Sequence, residues 1–267
     1  MGFDRISEIV DLERYPLDQL ASSRVAALLA DGQAALARDA LFSLPGFVRP
    51  DAAAVMADEL EARVPMASRY EDERIAYIDY KPDLPKEHPH RVTHPCRYHQ
   101  VLNHQISNDS PLRTLYSWEP LREFLRRMMG YDTFYRSECP HLALTAKVAG
   151  KGDTDGWHFD GNDVVFSLLL RASEGGGRFE YVPNLRTPEC ENYDAVAEVF
   201  SGASNRVRCA DLKIGDLNVF QGDQTLHRVS PVEGDHQRIV GLFSYDREPG
   251  TNFGVPYIAD LRRRLPA

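Results

Sequence analysis

The stretch WHFDGNDVVFSLLL, residues 157–170, places a His-x-Asp tripeptide directly before a run of β-branched and apolar residues. Such a run, bounded by Gly, Asn and Asp, is typical of a buried strand. Because side chains alternate across a strand, His158 and Asp160 would point to the same side of a sheet and could reach one metal ion. The tripeptide is short enough to arise by chance, so its interpretation depends on the residues around it.

The chain around this stretch, from about residue 134 onward, consists of short β-rich runs separated by Gly, Asp and Asn turns. The runs are LALTAKV, DVVFSLLL, GRFEYVP, NRVRCADL, DLNVFQG and RIVGLFSY. Several short strands with turns between them favour a pair of sheets arranged as a sandwich or barrel. We therefore predict a mainly β fold with flanking helices.

The first half of the chain is predicted to support that sheet pair with helices. Helical apolar spacing covers residues 18–38, the residues that follow Asp51, and those from Leu121 to a stop at Gly130. Residues 66–117 have weak periodicity and many Pro and His residues. Because this segment is long for a passive loop, we expect a lid or a binding region there.

Length and composition indicate one domain. The 267 residues are 43% hydrophobic and 27% charged, which is ordinary for a globular protein with a sizeable core. We divide the single domain 1–267 into helical support and lid (1–133), a catalytic core (134–248) and a tail (249–267).

Charge and cysteine use limit the function classes. A net charge of −9 argues against broad binding to nucleic acid or to an anionic membrane. The four cysteines are far apart and lack CxxC spacing, so we expect free thiols in a reducing cytoplasm. The first 20 residues do not have the pattern of a signal peptide, and no apolar run is long enough to span a bilayer.

Two further residues give the tripeptide a chemical context. His227 follows the predicted strand DLNVFQG, and Arg238 opens the strand RIVGLFSY. Two imidazoles and one carboxylate can bind one face of a ferrous ion and leave three positions open. A forked, always-charged Arg is suited to hold the carboxylate of a dicarboxylic cosubstrate nearby.

His158, Asp160, His227 and Arg238, together with GDLNVFQGDQTLHRVSPV (215–232), resemble the Fe(II)/2-oxoglutarate-dependent dioxygenases. The resemblance implies a double-stranded β-helix, a cupin-like jelly roll, over roughly residues 140–247. It also implies Fe(II) on the two histidines and the aspartate, 2-oxoglutarate anchored on Arg238, and dioxygen as the second cosubstrate.

A closer resemblance extends over most of the chain. YPLDQL, LPGF, SPLRTLYSWEPLREFL, WHFD, EGGGRFEYVPNLR, ENYDAV and LHRVSPVEG are similar to the bacterial group that contains the radical halogenases of free amino acids and their hydroxylase relatives. In the halogenases a Gly replaces the carboxylate ligand and chloride takes its place. Because this chain has Asp160, the resemblance implies hydroxylation, or another oxidative outcome such as desaturation, of a small polar metabolite such as a free amino acid or a derivative.

Two residues are candidates for contact with the substrate. Glu138 resembles, by its position, a ligand of the substrate amine in the halogenase group. Asn162 continues the alternation of His158 and Asp160, although Gly161 could interrupt the strand with a bulge.

Two other motifs receive structural interpretations. Residues Gly175, Gly176 and Gly177 have no helix after them, so a hairpin turn is favoured over a phosphate loop. A run of histidines lacks strict ligand spacing, and we expect its members to be solvated or part of a lid: His88, His90, His94, His99 and His104.

Two alternative functions stay open at this point. A cupin-like metalloenzyme with non-redox, isomerase-type chemistry would use the same ligands, but Arg238 and the lack of a cupin-type Glu weigh against it. A non-catalytic ligand-binding domain is possible on fold grounds, although the intact ligand set argues against it. We expect a small molecule as the partner, no nucleic acid and no membrane; the sequence indicates no oligomeric state.

Overall fold

The computed structural model describes residues 5–162, 164–251 and 264. Its α-helices are α1 Ile6–Ile9, α2 Ser23–Asp39, α3 Pro50–Glu61, α4 Pro111–Ser117, α5 Glu119–Met129 and α6 Tyr193–Phe200. Short 3-10 turns cover Leu17–Gln19, Val64–Met66 and Asn103–Gln105. The strands before the His-x-Asp tripeptide are β1 Leu41–Leu44, β2 Ser68–Ile75, β3 Thr93–Val101, β4 Tyr135–Arg136, β5 Leu144–Ala149 and β6 Thr154–His158. Those after it are β7 Val165–Arg171, β8 Gly175–Gly176, β9 Phe179–Val182, β10 Arg208–Cys209, β11 Leu217–Phe220, β12 Leu226–Val229, β13 Val232–Glu233, β14 Arg238–Phe243 and β15 Tyr245–Asp246.

Within the described residues, eleven strands form one curled antiparallel sheet. The order is β1-β11-β7-β14-β5-β3-β6-β12-β9-β10, with β2 paired to β3. Two small pairs, β8 with β13 and β4 with β15, complete the strand pairing. This architecture confirms the prediction of a mainly β fold with flanking helices.

The division into a support region and a core stays a prediction, but the first part of the chain supplies strands as well as helices. Strands β1, β2 and β3 come from the first 133 residues and belong to the main sheet. The segment 66–117, which we expected to be a lid or a binding region, contains the two longest strands among the described residues. Its alternation is hard to read because β2 has three consecutive exposed residues at its centre, Glu71, Asp72 and Glu73.

Helices α1 to α5 bury their apolar faces in one hydrophobic cluster with strands of this sheet, whereas α6 packs in a separate cluster with Trp157 and Leu226. Helix α5 buries Leu121, Phe124, Leu125 and Met128, and it ends at Gly130 in the left-handed conformation with φ 69°. Each fully buried Leu or Phe contributes roughly 1.5–3 kcal/mol. Helix α2 is capped by the Ser22 hydroxyl, so it begins later than the predicted start at residue 18.

The curl of the sheet brings two sets of strands face to face around an internal cavity. Strands β7, β14 and β5 line one side, and strands β6 and β12 line the other. Within residues 5–162, 164–251 and 264, no helix combines the length and the apolar character that a membrane crossing requires.

Candidate metal centre

Adjacent strands bring the two predicted histidine ligands together. His227 on β12 is the register partner of His158 at the end of β6, and their ring centroids lie 4.1 Å apart. Asp160 follows two residues after His158. Its Oδ1 lies 3.6 Å from Nε2 of His158, and its Oδ2 lies 3.4 Å from Nε2 of His227. Three ligand atoms therefore converge within 4.8 Å of one another.

The hydrogen bonds of the two histidines leave the same nitrogen of each ring free. Nδ1 of His158 donates to the carbonyl of Gly156 at 2.7 Å, and Nδ1 of His227 donates to the carbonyl of Thr225 at 2.9 Å. A carbonyl can only accept, so each Nε2 carries a lone pair. Burial, with help from Arg74 and His227, holds the pKa of His158 well below its usual value. The neutral ring is the form that binds a metal.

Asp160 supplies the third ligand atom. Its backbone N–H donates to the carbonyl of Gly222 at 3.0 Å, which fixes the start of its side chain. Its Oδ2 is buried and has no hydrogen-bond partner among the described residues. An unpaired buried carboxylate oxygen is costly unless a cation satisfies it. The donor set of two nitrogens and one oxygen fits a divalent iron site.

A bulge in β6 brings a second carboxylate into the cavity. His158 pairs with His227 and Asp155 pairs with Val229, so β6 has one extra residue over this step. As a result, Asp155 and His158 both face the cavity. The carboxylate of Asp155 accepts hydrogen bonds from Lys147 at 2.5 Å and from Arg74 at 2.9 Å. Burial alone would raise the pKa of Asp155, but these cations hold it well below its usual value.

Arg238 lines the same cavity, which has a volume of about 670 Å³. Its side chain is buried, and it makes no ion pair or hydrogen bond within the described part of the chain. Burial lowers the pKa of Arg238 to about 10, so the guanidinium is still charged at neutral pH. A buried, charged guanidinium of this kind can pair with a carboxylate.

Two further polar atoms in the cavity wall lack partners among the described residues. They are the buried side-chain carbonyl of Gln100 on β3 and the hydroxyl of Tyr77. Gln100 is the register partner of Lys147, so the unpaired acceptor lies beside the charged cluster. Apolar residues such as Val240, Leu242 and Phe220 form much of the remaining wall.

The two predicted substrate residues occupy different environments. Asn162 lines the cavity and is exposed to solvent at this end. Glu138 is exposed and is absent from the described lining of the cavity.

Four residues of the site were not anticipated from the sequence: Gly222, Asp155, Lys147 and Arg74. The alternation of Thr145 and Lys147 in LALTAKV was a usable signal, because both side chains face the cavity. Gly222 gave no signal, since its role is to leave space. A Cβ there would lie 2.2 Å from Oδ2 of Asp160.

The histidine run lies outside the ligand set and only partly matches its predicted solvated character. His90 is buried and stacks on Tyr77 at 4.0 Å, and His94 packs edge-on against Phe200 at 4.4 Å. His104 is exposed. The four cysteines are free, as predicted.

Comparison with solved structures relates this fold to known enzymes. An oxidoreductase of the 2OG-Fe(II) oxygenase family from Burkholderia pseudomallei aligns with 17% identity and a TM-score of 0.53, covering 84% of this chain and 93% of that one. A prolyl-4-hydroxylase from Pseudomonas putida aligns with 13% identity and a TM-score of 0.51, covering 80% and 97%. HygX from Streptomyces hygroscopicus, solved with nickel and 2-oxoglutarate, aligns with 14% identity and a TM-score of 0.55, covering 84% and 89%.

The likeness to these structures confirms the predicted jelly-roll core. No curated protein matches the chain by sequence. Residues 26–252, most of the chain, match the family described as halogenase D. This match agrees with the resemblance to the halogenase group that the sequence motifs indicated. The chain belongs to the halogenase D family.

Proposed function

We propose that this chain is an Fe(II)- and 2-oxoglutarate-dependent oxygenase that hydroxylates an unactivated C–H bond of a small polar metabolite, such as a free amino acid or a derivative. One observation carries the proposal. The nitrogens of His158 and His227 converge with an unpaired oxygen of Asp160, in the same cavity as the unpaired guanidinium of Arg238.

Each element of the chain has a defined part in this reaction. His158, Asp160 and His227 hold the metal, and the carbonyls of Gly156 and Thr225 keep both imidazoles in the ligating tautomer. Arg238 binds the distal carboxylate of 2-oxoglutarate through its planar fork. When bound, iron and 2-oxoglutarate supply the oxidising chemistry with dioxygen. The apolar wall excludes water from the reacting groups.

The charged wall of the cavity supports an anionic group on the substrate. Arg74 and Lys147 share the single carboxylate of Asp155, so the cluster keeps one excess positive charge. Gln100 beside it offers an unfilled acceptor for an ammonium or hydroxyl donor. A carboxylate together with a donor group is what a free amino acid carries.

Asp160 supports hydroxylation rather than halogenation. Its side chain lies against Gly222, where an added Cβ would be 2.2 Å from Oδ2, so the carboxylate fills this corner of the site. A halide would need the same space. We assign substrate contact to Asn162 at the open end of the cavity. A contact by Glu138 is a further proposal that rests on the family resemblance alone.

The free thiols of all four cysteines support a reducing compartment such as the cytoplasm.

The proposed activity is tested by mixing the anaerobic Fe(II) protein with 2-oxoglutarate, admitting dioxygen, and screening amino acids and their derivatives. We expect succinate release that depends on one class of substrate, with a product heavier by one oxygen atom. A metalloenzyme with isomerase-type chemistry, or a binding domain, would release no succinate in step with substrate loss.

A further inference from the structure

A second cavity lies behind Arg238. It has a volume of about 370 Å³ and shares three lining residues with the metal cavity, namely Arg238, Phe179 and Leu212. The side chain of Arg238 therefore borders two separate spaces. One space holds the metal ligands, and the other is lined by the loop after β7 and the loop after β10.

The glycine stretch that we predicted to be a hairpin turn forms one rim of this second cavity. Gly175 and Gly176 instead pair with Val232 and Glu233 as the short strand β8, which corrects that assignment. Gly177 has a φ of +56°, and a Cβ on it would lie 3.1 Å from Cδ of Arg238 and 2.5 Å from Oγ of Ser173. The absence of a side chain here leaves Arg238 uncovered on this side.

The strand pairing is irregular at the same point. The register between β14 and β7 shifts by one residue between Ile239 and Val240, and β7 ends at Arg171. The opposite rim carries Cys209, which is exposed, and Asp211, which pairs with Lys213 at 3.3 Å. Arg178 is exposed on the glycine side and adds positive charge to the rim.

We propose that this second cavity is a separate entrance through which the small dicarboxylate 2-oxoglutarate reaches Arg238 and through which succinate leaves. The proposal rests on the proposed function. Cations at the rim and at the inner end favour the approach of a small dianion. Phe179 and Leu212 form the partition that must move to let it pass. The cosubstrate can then exchange while a substrate occupies the mouth of the metal cavity.

The test compares two tryptophan variants. Ala172 is exposed and lines the second cavity, so Ala172→Trp narrows the entrance. Ala203 is also exposed, lies just after the end of α6 and is absent from the cavity lining, so Ala203→Trp is the matched control. Binding of 2-oxoglutarate to the anaerobic Fe(II) protein is followed by stopped-flow absorption. We expect association and dissociation in Ala172→Trp to be slower by about five-fold or more, as for a gated step, with a dissociation constant close to that of the control.

A second experiment blocks the proposed entrance reversibly, so that the conclusion does not depend on the Ala172→Trp variant alone. With Cys190 replaced by Ser, Cys209 is the remaining exposed cysteine among the described residues. Labelling it with a bulky disulfide reagent should slow the binding of 2-oxoglutarate, and reduction should restore the rate. The matched control labels Cys190 in a Cys209→Ser background.

The outcomes separate the two proposals. If the unmodified protein binds 2-oxoglutarate but both blocks leave the association and dissociation rates unchanged, the proposal of a separate entrance is wrong and the proposed function stands. If the unmodified protein does not bind 2-oxoglutarate at all, both proposals are wrong. A loss of affinity without a change in association rate would also contradict the entrance, since it would show that the block distorts the binding site itself.

Discussion

At the scale of single residues, Arg238 shows a conflict between stability and binding. Its guanidinium is buried without a partner among the described residues, and burial lowers its pKa to about 10. We expect Arg238→Met to raise the free energy of unfolding by about 1–3 kcal/mol, because an unpaired buried charge is removed. The same variant should bind 2-oxoglutarate at least about 30-fold more weakly, the usual effect of losing a buried charged hydrogen-bond pair.

Chemical denaturation and equilibrium titration of 2-oxoglutarate measure these two effects. Arg228→Met is the control, because Arg228 lies on β12 beside His227 but pairs with Glu180 and stacks on Trp157. A destabilised Arg238→Met variant with normal 2-oxoglutarate affinity would contradict both the unpaired state and the binding role.

Asp160→Gly tests the third ligand. Removing the carboxylate leaves two imidazoles and a space next to Gly222. We expect hydroxylation to be lost and chloride to bind in that space, which is measured by product mass spectrometry and by chloride-dependent changes in the iron absorption spectrum. Asn162→Gly is the control for the metal site alone, which it should keep as judged by the iron absorption spectrum. Undiminished hydroxylation in Asp160→Gly would show that another group completes the ligand set.

The residue types that bind the metal could be predicted, whereas their supporting residues could not. Few purely structural roles would require two histidines, an aspartate and an arginine in this order, as in His158, Asp160, His227 and Arg238. Asp155 and Lys147 look like ordinary solvated charges in the sequence, and only the bulge in β6 turns Asp155 inward. Such an irregularity has no reliable signal in a single sequence.

At the scale of the elements, the turn after β11 controls the position of Asp160. Because a Cβ on Gly222 would lie 2.2 Å from Oδ2 of Asp160, Gly222→Ala must displace the carboxylate. We expect metal affinity to fall by about 10- to 100-fold, as for other changes that misplace a ligand. Gly161→Ala is the control, since a Cβ there meets only Cδ1 of Ile78 at 3.4 Å.

Metal affinity is measured by competition with a chelating dye, and circular dichroism checks that both variants fold. Equal affinities for the Gly222→Ala and Gly161→Ala variants would mean that the turn can shift without moving Asp160.

Strand β3 makes stability depend on pH through His94. Burial, assisted by Arg228 and Arg74, lowers the pKa of His94 to about 4. The unfolded chain gains a proton near pH 6.5 while the folded chain stays neutral, so stability falls as pH drops from about 6.5 to about 4. We expect a loss of about 1–2 kcal/mol, allowing for solvent screening.

His94→Leu should flatten this part of the pH profile of chemical denaturation, whereas His104→Leu, at an exposed position, should not. An unchanged slope in His94→Leu would assign the pH dependence to other groups.

Elements whose apolar residues recur with a clear period could be predicted from the sequence. Elements in which exposed and buried residues do not alternate regularly could not. Helix α5 has one apolar stripe and a glycine stop, and it lies where the sequence placed it. Strands β2 and β3 lie in the segment 66–117, where exposed charges and prolines hide the period of two. Strand β3 joins the sheet by pairing with β5 and β6, which lie more than 40 residues away, and local patterns do not report such pairing.

At the scale of the whole molecule, metal binding should stabilise the folded chain against unfolding. The ligands lie on β6, on β12 and in the segment after β6, so they come together only in the folded chain. A metal at 100 times its dissociation constant adds about 2.7 kcal/mol to the free energy of unfolding. We expect Fe(II) under anaerobic conditions, or Mn(II) in air, to raise the melting temperature by about 5–10 °C.

In chloride-free buffer the rise should be much smaller in Asp160→Ala, and calorimetry with and without a chelator measures it. If adding the metal leaves the melting temperature of the unaltered protein unchanged, the three side chains do not form a metal site in solution.

The two imidazoles take their orientation from their own strands, because each one donates to the carbonyl two residues before it. The orientation of the two imidazoles is thus set by backbone carbonyls within two tripeptides, Gly156–His158 and Thr225–His227. Substitutions in the cavity wall can therefore change the substrate during evolution while the metal ligands stay the same.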